Sequence, residues 1–324
     1  MLISCAFPPS PRAADYVVEA EHLGFERAWM FDSPALYGDV WVCLALAAVR
    51  TERIGLGPAV LVPNLRHPLA QASAITTLEQ LAPGRLAVAI GTGFTGRYAM
   101  GQKPLTWAWT REYIAQLRAL LRGEKVEVEG AIVQMLHPPE FAPARPVATP
   151  IIVAANGPKG LGVAKELGDG IMTIGGTDPA FDTCAVLAFG TVLDDGEDAG
   201  SARAIEAAGA GVTVVYHGMY EGTPEAVDGL PGGPEWRSGI EALPERERHL
   251  TVHDHHMYRV TDRDRALVTG EILKAFTWTG TKAELRDRLA LMEGAGASEI
   301  LYTPMGPDIS RELQAFAEMA GLVA

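Results

Sequence analysis

Several short stretches of this sequence carry residue types whose spacing bears on chemistry. Pro63-Asn64-Leu65-Arg66-His67-Pro68 sets a guanidinium beside an imidazole immediately before a helix. Displayed at a site, the two would offer a fixed charge and a proton carrier. The structural alternative is that Arg66 pairs with a nearby carboxylate and His67 caps the helix. In Gly91-Thr92-Gly93-Phe94-Thr95-Gly96 the glycines allow backbone to approach a planar or phosphorylated ligand closely. The same string matches GxGxxG literally, so a dinucleotide-binding (Rossmann) dehydrogenase is a competing reading. That fingerprint should open a helix at once and be followed by an acidic residue about 20 positions on. Here the next helix begins near Thr110, and position 116 is Gln.

Ala154-Ala155-Asn156-Gly157-Pro158-Lys159-Gly160 leads into a helix, and free N–H groups at a helix start make an anion site. An ordinary strand-to-helix turn would look the same. His253, His255 and His256, with Asp254, are metal ligands by type. Their spacing fits no zinc pattern, so no metal is expected and a polar loop or helix end is the simpler reading. Phe94, Tyr98, Met100, Trp107 and Trp109 crowd one segment. They suit a flat, mainly apolar substrate, with Arg97 orienting its polar end; alternatively Trp107 and Trp109 pack the start of the next helix.

The elements that must position these groups alternate short apolar runs with helical stretches, the pattern of βα units on a parallel sheet. Strands are expected at 2–6, 26–31, 54–61, 86–90, 150–154, 170–174, 212–216 and 299–303. Apolar stripes at helical spacing predict helices over 13–23, 68–81, 111–121, 283–292 and 310–322. Eight strands so arranged predict one (β/α)8 TIM-barrel domain spanning 1–324, with 2–6 beside 299–303 and active residues at its C-terminal mouth. Insertions are expected after the fourth and seventh strands, at 123–149 and 217–280. The first is expected to help cover the substrate, since long excursions in a compact fold tend to be lids or interfaces. The acidic run Asp194, Asp195, Glu197, Asp198 reads as a solvated loop.

Bulk properties narrow the class. The chain has 324 residues, 48% of them hydrophobic, and a formal net charge of −13. An acidic surface disfavours nucleic acid and anionic membranes, so any phosphate must be held by backbone N–H groups and a few placed cations. The three cysteines, Cys5, Cys43 and Cys184, are expected to be buried reduced thiols. No apolar run is long enough to span a bilayer, and the start reads as a strand and not a signal peptide, so a cytoplasmic location is expected. Homo-oligomerisation is left open.

Five segments, in order, resemble the bacterial luciferase-like family of flavin- and deazaflavin-dependent oxidoreductases, in its methylene-tetrahydromethanopterin reductase branch. They are AEHLGFERAWMFD ending at Asp32, RIGLGPAV before PNLRHP, LEQLAPGRLAVAIGTG, VAANGPKGLGVAKELGDGIM and GTKAELRDRLALMEGAGASEILY. The resemblance implies a barrel whose mouth holds an isoalloxazine-type ring backed by a non-prolyl cis peptide, here at Ala59-Val60. It further implies Asp32 beside the ring; Arg66 and His67, on the loop after the third strand where a barrel displays its active site, are its candidate catalytic companions. Gly91, Thr92 and Gly93 would lie along the cofactor, and Ala155, Asn156, Gly157 and Pro158 near its side chain or phosphate. Sugar-phosphate dehydrogenases of the family carry His after that Asp and Glu after GTG; Ser33 and Phe94 stand there instead, so that chemistry is not expected. The cofactor implied is coenzyme F420 or FMN, and the methanopterin-reductase likeness favours F420. Hydride transfer to or from a small apolar substrate is the expected activity. An FMN-dependent monooxygenase and a non-catalytic cofactor-binding barrel are the alternatives.

Overall fold

The computed structural model describes residues 1–323. Strands β1 (Leu2–Phe7), β2 (Arg27–Met30), β3 (Gly55–Pro58) and β4 (Val88–Ile90) precede a small antiparallel hairpin, β5 (Val126–Val128) and β6 (Ala131–Val133). Then come β7 (Ile151–Ala154), β8 (Gly170–Ile174), β9 (Cys184–Phe189) and β10 (Glu299–Thr303). The eight main strands are all parallel, in the order β3-β2-β1-β10-β9-β8-β7-β4. Single bridges Leu56–Leu86 and Leu61–Ile90 join the two ends, giving the expected TIM barrel with first and last strands adjacent.

Helices α1 (Ala13–His22), α2 (Val40–Ala48), α3 (Pro68–Leu81), α4 (Phe94–Tyr98), α5 (Trp107–Leu121) and α6 (Pro158–Leu167) accompany the first strands. Next are α7 (Ala202–Gly222), α8 (Gly233–Glu241), α9 (Arg248–Val252), α10 (Gly270–Phe276), α11 (Lys282–Gly294) and α12 (Ile309–Ala320). The strands are buried nearly throughout because helices cover the outer face and side chains fill the interior. Trp29, Met172, Ile152 and Leu301 fill that interior among the alanines Ala6, Ala87, Ala89 and Ala185. Buried Glu299 is satisfied by Trp29 Nε1 (2.8 Å) and Arg27 Nη1 (3.1 Å). All three cysteines are free and buried. Among the described residues no helix is long and apolar enough to cross a membrane.

Two expectations need correction. Residues 212–216 are not a strand but lie inside α7, and the seventh barrel strand is β9. The VTVVY run is continuous only in sequence; on the helix, Ala204, Ala208, Val212, Tyr216 and Tyr220 line up four residues apart and face a second core with Trp236, Val252 and Leu273. The second insertion therefore starts soon after β9, earlier than 217. The first insertion, 123–149, does not cover the mouth. Helix α5 carries the chain away from the mouth, and the insertion packs back on the far end of that helix, where Val147 N–H donates to Leu121 O (3.0 Å) and Gln134 Nε2 to Gly123 O (2.7 Å).

The acidic run is an exposed loop, as expected, with Asp194, Asp195 and Asp198 all exposed. Two of its carboxylates are nonetheless paired, Asp194 with Arg311 (2.5 Å) and Glu197 with Arg203 (2.5 Å). Arg203 and Arg311 also reach buried Glu312 on α12, at 3.1 and 2.9 Å.

Candidate active site at the barrel mouth

Asp32 follows β2 and is 3% exposed. Its two oxygens accept from Arg66 Nη1 at 2.9 and 2.8 Å, and Oδ2 also accepts from Val62 N–H at 3.2 Å. Burial raises the Asp32 carboxyl above its usual range, while the Arg66 guanidinium pulls it back. The other arm of Arg66 donates to Asp39 Oδ2 (2.8 Å), and Asp39 caps α2 through Trp41 and Val42 N–H (2.9 and 3.0 Å). Tyr113 of α5 donates its hydroxyl to Arg66 O (3.0 Å). Arg66 thus holds a carboxylate on each side. Both oxygens of Asp32 are occupied, so the group is built as a fixed charge more than as a free base. His67 takes the capping role, its Nδ1 accepting from Leu69 N–H (3.1 Å) with the side chain exposed.

The ends of β3, β4 and β7 meet in a floor of small residues. The Ala59–Val60 peptide is cis, as the resemblance implies. A Cβ on Gly91 would stand 3.2 Å from Val60 Cγ2 and 3.4 Å from Ala154 Cβ, so the three strand ends touch without long side chains between them. Gly93 holds φ 82°, and a Cβ there would come within 2.5 Å of Val62 Cγ1; only glycine fits. Thr92 is tied through its carbonyl to Leu105 N–H (2.9 Å). Beyond the floor, Ala155 is buried and Asn156 Oδ1 accepts from Ile174 N–H (2.9 Å). Gly157 then caps α6 with Pro158 in its first turn. Proline has no N–H to satisfy, and the N–H groups after it are unpaired within the helix. The floor thus carries no long side chains, and the start of α6 leaves the Lys159 and Gly160 N–H groups without a helical partner.

The four expected substrate residues are not gathered in one place. Phe94 is 44% exposed, packs edge-on against Tyr98 (5.0 Å between centroids) and lies against Gly218 of α7. Arg97 is turned along its own loop, its Nε donating to Lys103 O at 2.5 Å. Trp107 packs on α6: a Cβ on Gly160 would sit 2.4 Å from its ring. Trp109 stacks on Tyr113 at 5.7 Å. Trp107 therefore shapes the start of α6, a role sequence spacing alone does not reveal.

A cavity of about 710 Å³ opens instead between the mouth loops and the second insertion, lined among others by Phe7, Tyr37, Ala99, His256, Met257 and Met305. Met257 also packs on the interior cluster that includes Ala59, beside Val60 and Ala154. The insertion thus roofs the floor. Of the three histidines singled out, His253 and His256 turn inward with His217 of α7, and burial pushes the imidazoles of His217 and His256 down. His255 is half-buried and stands apart from that trio, its Nδ1 2.7 Å from Asp254 and its Nε2 2.6 Å from Arg259. Sequence reading missed Asp39, Tyr113 and His217. The first carried a signal, an Asp just before an apolar helical run.

The luciferase-like monooxygenase family profile matches residues 7–299. The 5,10-methylenetetrahydromethanopterin reductase of Archaeoglobus fulgidus is 28% identical over 92% of this chain and 91% of its own length. The F420-dependent glucose-6-phosphate dehydrogenase of Beutenbergia cavernae is 35% identical over 50% of this chain and 52% of its own, so that alignment spans about half of each. Among solved structures, the coenzyme F420-dependent tetrahydromethanopterin reductase of Methanopyrus kandleri superposes with a TM-score of 0.68 at 20% identity, covering 98% of this chain and 97% of that one. At that identity the likeness is one of fold.

Proposed function

This chain belongs to the luciferase-like monooxygenase family, and we propose that it is an oxidoreductase that binds a deazaflavin of the F420 type at the barrel mouth. Its substrate is a small, mainly apolar organic molecule, and barrel and insertion act as one functional unit. The observation that carries the reading is the small-residue floor of Ala59, Val60, Gly91 and Ala154, with the open start of α6 beyond it. The relative from Beutenbergia cavernae, aligned over half of this chain, is F420-dependent by name, which supports the deazaflavin over FMN.

The bound cofactor supplies the hydride donor or acceptor; the protein positions it and excludes water. Asp32, held by Arg66, would keep a negative charge fixed beside the ring. The N–H groups at Lys159 and Gly160 would face an anionic side chain, and Trp107 holds that helix start in place. Met257 and Tyr37 give the adjoining cavity an apolar wall for substrate. Ser33 and Phe94 supply neither the imidazole nor the carboxylate that sugar oxidation needs, which argues for an apolar substrate despite the glucose-6-phosphate dehydrogenase likeness.

The test is titration of the apo-protein with F420 and, separately, FMN and NAD, following ring fluorescence. Micromolar or tighter F420 binding is expected, lost on Gly91→Val. Binding of FMN alone would move the protein to the monooxygenase reading. NAD binding with no response to either ring would overturn both.

A further inference from the structure

The histidine trio under the insertion is not used by the proposed chemistry. His217 (1% exposed), His253 (2%) and His256 (2%) come from two segments 36 residues or more apart, and one ring nitrogen of each lies within 4.8 Å of the others. His256 Nδ1 is 3.0 Å from His217 Nδ1 and 3.4 Å from His253 Nδ1. Nitrogens bound about 2.0–2.1 Å from one tetrahedral ion stand roughly 3.4 Å apart. We propose that His217, His253 and His256 form a zinc site in which their Nδ1 atoms ligate one ion, fastening the insertion to the barrel mouth.

The outward nitrogens support this. His253 Nε2 faces Glu221 Oε1 at 3.1 Å, and His217 Nε2 faces Asp264 Oδ2 at 3.8 Å. Asp264 accepts from Trp236 Nε1 (2.7 Å), Thr261 Oγ1 (2.8 Å) and Arg263 Nε and Nη2 (2.7 and 2.6 Å), so its oxygens are already held as acceptors. Carboxylates accept protons in hydrogen bonds and do not donate them, so His253 carries its proton on Nε2 and turns its Nδ1 lone pair toward His256 Nδ1. His217 Nε2, beyond hydrogen-bond reach of Asp264, has no partner, and its Nδ1 also faces His256 Nδ1. A neutral His256 has a single ring proton to set against two neighbouring ring nitrogens. A cation gives all three ring nitrogens a partner, and histidine ligands backed by carboxylates are the usual arrangement around such an ion.

The surroundings give the ion a mechanical role. His256 Nε2 lies 3.3 Å from Thr95 Oγ1 on α4, and its carbonyl accepts from the Tyr37 hydroxyl after β2. His255 and Met257 hold φ at 56° and 53°, a conformation uncommon for residues other than glycine. Anchoring His253 and His256 to α7 holds the loop there. His253 and His256 also line the 710 Å³ cavity, which gives the ion a way in and a water as fourth ligand.

The test uses full-length protein without a polyhistidine tag, expressed with zinc and freed of loose metal by gel filtration. Elemental analysis should find about one zinc per chain, and cobalt exchanged into the site should show the intense visible bands of a tetrahedral ion. Chelation should lower Tm, and zinc should restore it. His217→Gln and His256→Gln should lose the metal. Should those variants fail to fold, Glu221→Gln is the milder probe, weakening zinc affinity about 10–100-fold. His255→Gln, on the same loop but outside the trio, should keep the full equivalent. Substoichiometric zinc in the parent with no tetrahedral cobalt spectrum would overturn the site and leave a hydrogen-bonded trio only. Equal loss from His255→Gln would overturn the assignment of ligands. None of these readouts needs a flavin, so the proposal stands or falls apart from the cofactor reading.

Discussion

Asp32 and Arg66 define the site at the scale of single residues. Asp32 has a 2% exposed side chain and Arg66 a 19% exposed one. Removing one partner of a buried pair leaves an uncompensated charge and costs about 3 kcal/mol or more. Arg66→Met should therefore lower Tm by several degrees at pH 7. Burial already places the folded Asp32 carboxyl above its unfolded value, so its ionisation works against folding. The Arg66→Met deficit should accordingly shrink as pH falls and Asp32 takes up a proton, and Asp32→Asn in the same background should recover much of it. A thermal denaturation series over pH checks both; a deficit independent of pH would show that Arg66 acts by packing alone. At this scale the sequence left roles ambiguous. Arg66-His67 read equally as chemistry or as ion pair and cap, and both structural roles are realised. The arrangement around Trp107 was illegible, because its partner Gly160 lies across the groove between two helices and no local spacing encodes that.

Elements were legible where periodicity and burial agree. Helix 68–81 matched to the residue, and the strands of the first half were placed within a few positions. The failure at 212–216 has a physical cause: β-branched residues favour strands in isolation, but here they sit in a 21-residue helix whose stripe only a longer window exposes. The acidic turn after β9 shows the same limit in electrostatics. Hydrogen bonds from Arg203 lead the causes that lower Glu197 to about 2, against an ordinary value of 4.5. A depressed carboxyl stabilises the fold above its unfolded pKa, and that contribution is lost as pH falls through the folded one. Glu197→Gln should thus cost about 2 kcal/mol near pH 7, after allowance for partial exposure. The parent should lose that margin between about pH 4.5 and 2, and the variant should not. Acid titration followed by circular dichroism compares the two slopes; parallel slopes would show the pair to be solvent-screened.

For the whole molecule, alternation of strand and helix was enough to give a closed barrel, because parallel strands need covered faces and few topologies supply them. What alternation does not carry is the meeting of remote segments. The second core, built by α7 with Trp236, Val252 and Leu273, folds the insertion back over the mouth. That fold brings His217 to His253 and His256, and Met257 to the floor. Long-range pairing of this kind is set by packing volume and not by local period, and so it had no signature that single-sequence reading could use.

The barrel wall is not uniform around its circumference. Seven junctions are continuous ladders, while the eighth, between β3 and β4, consists of two single bridges. Its hydrogen bonds run from Leu56 N–H to Arg85 O (2.8 Å), Ala87 N–H to Leu56 O (3.0 Å), Leu61 N–H to Ala89 O (2.8 Å) and Gly91 N–H to Leu61 O (3.3 Å), with none from Gly57 to Val60. A cylinder breathes at its weakest stitch. Deuterium should enter the amides of Leu61 and Gly91 well before those of β1 and β10, and a ring laid across the floor should slow that entry most at these two positions. Uniform exchange around the wall would deny the seam any privilege. If the seam is where the wall yields, the cofactor does more than occupy the mouth: it is the clasp that closes the cylinder.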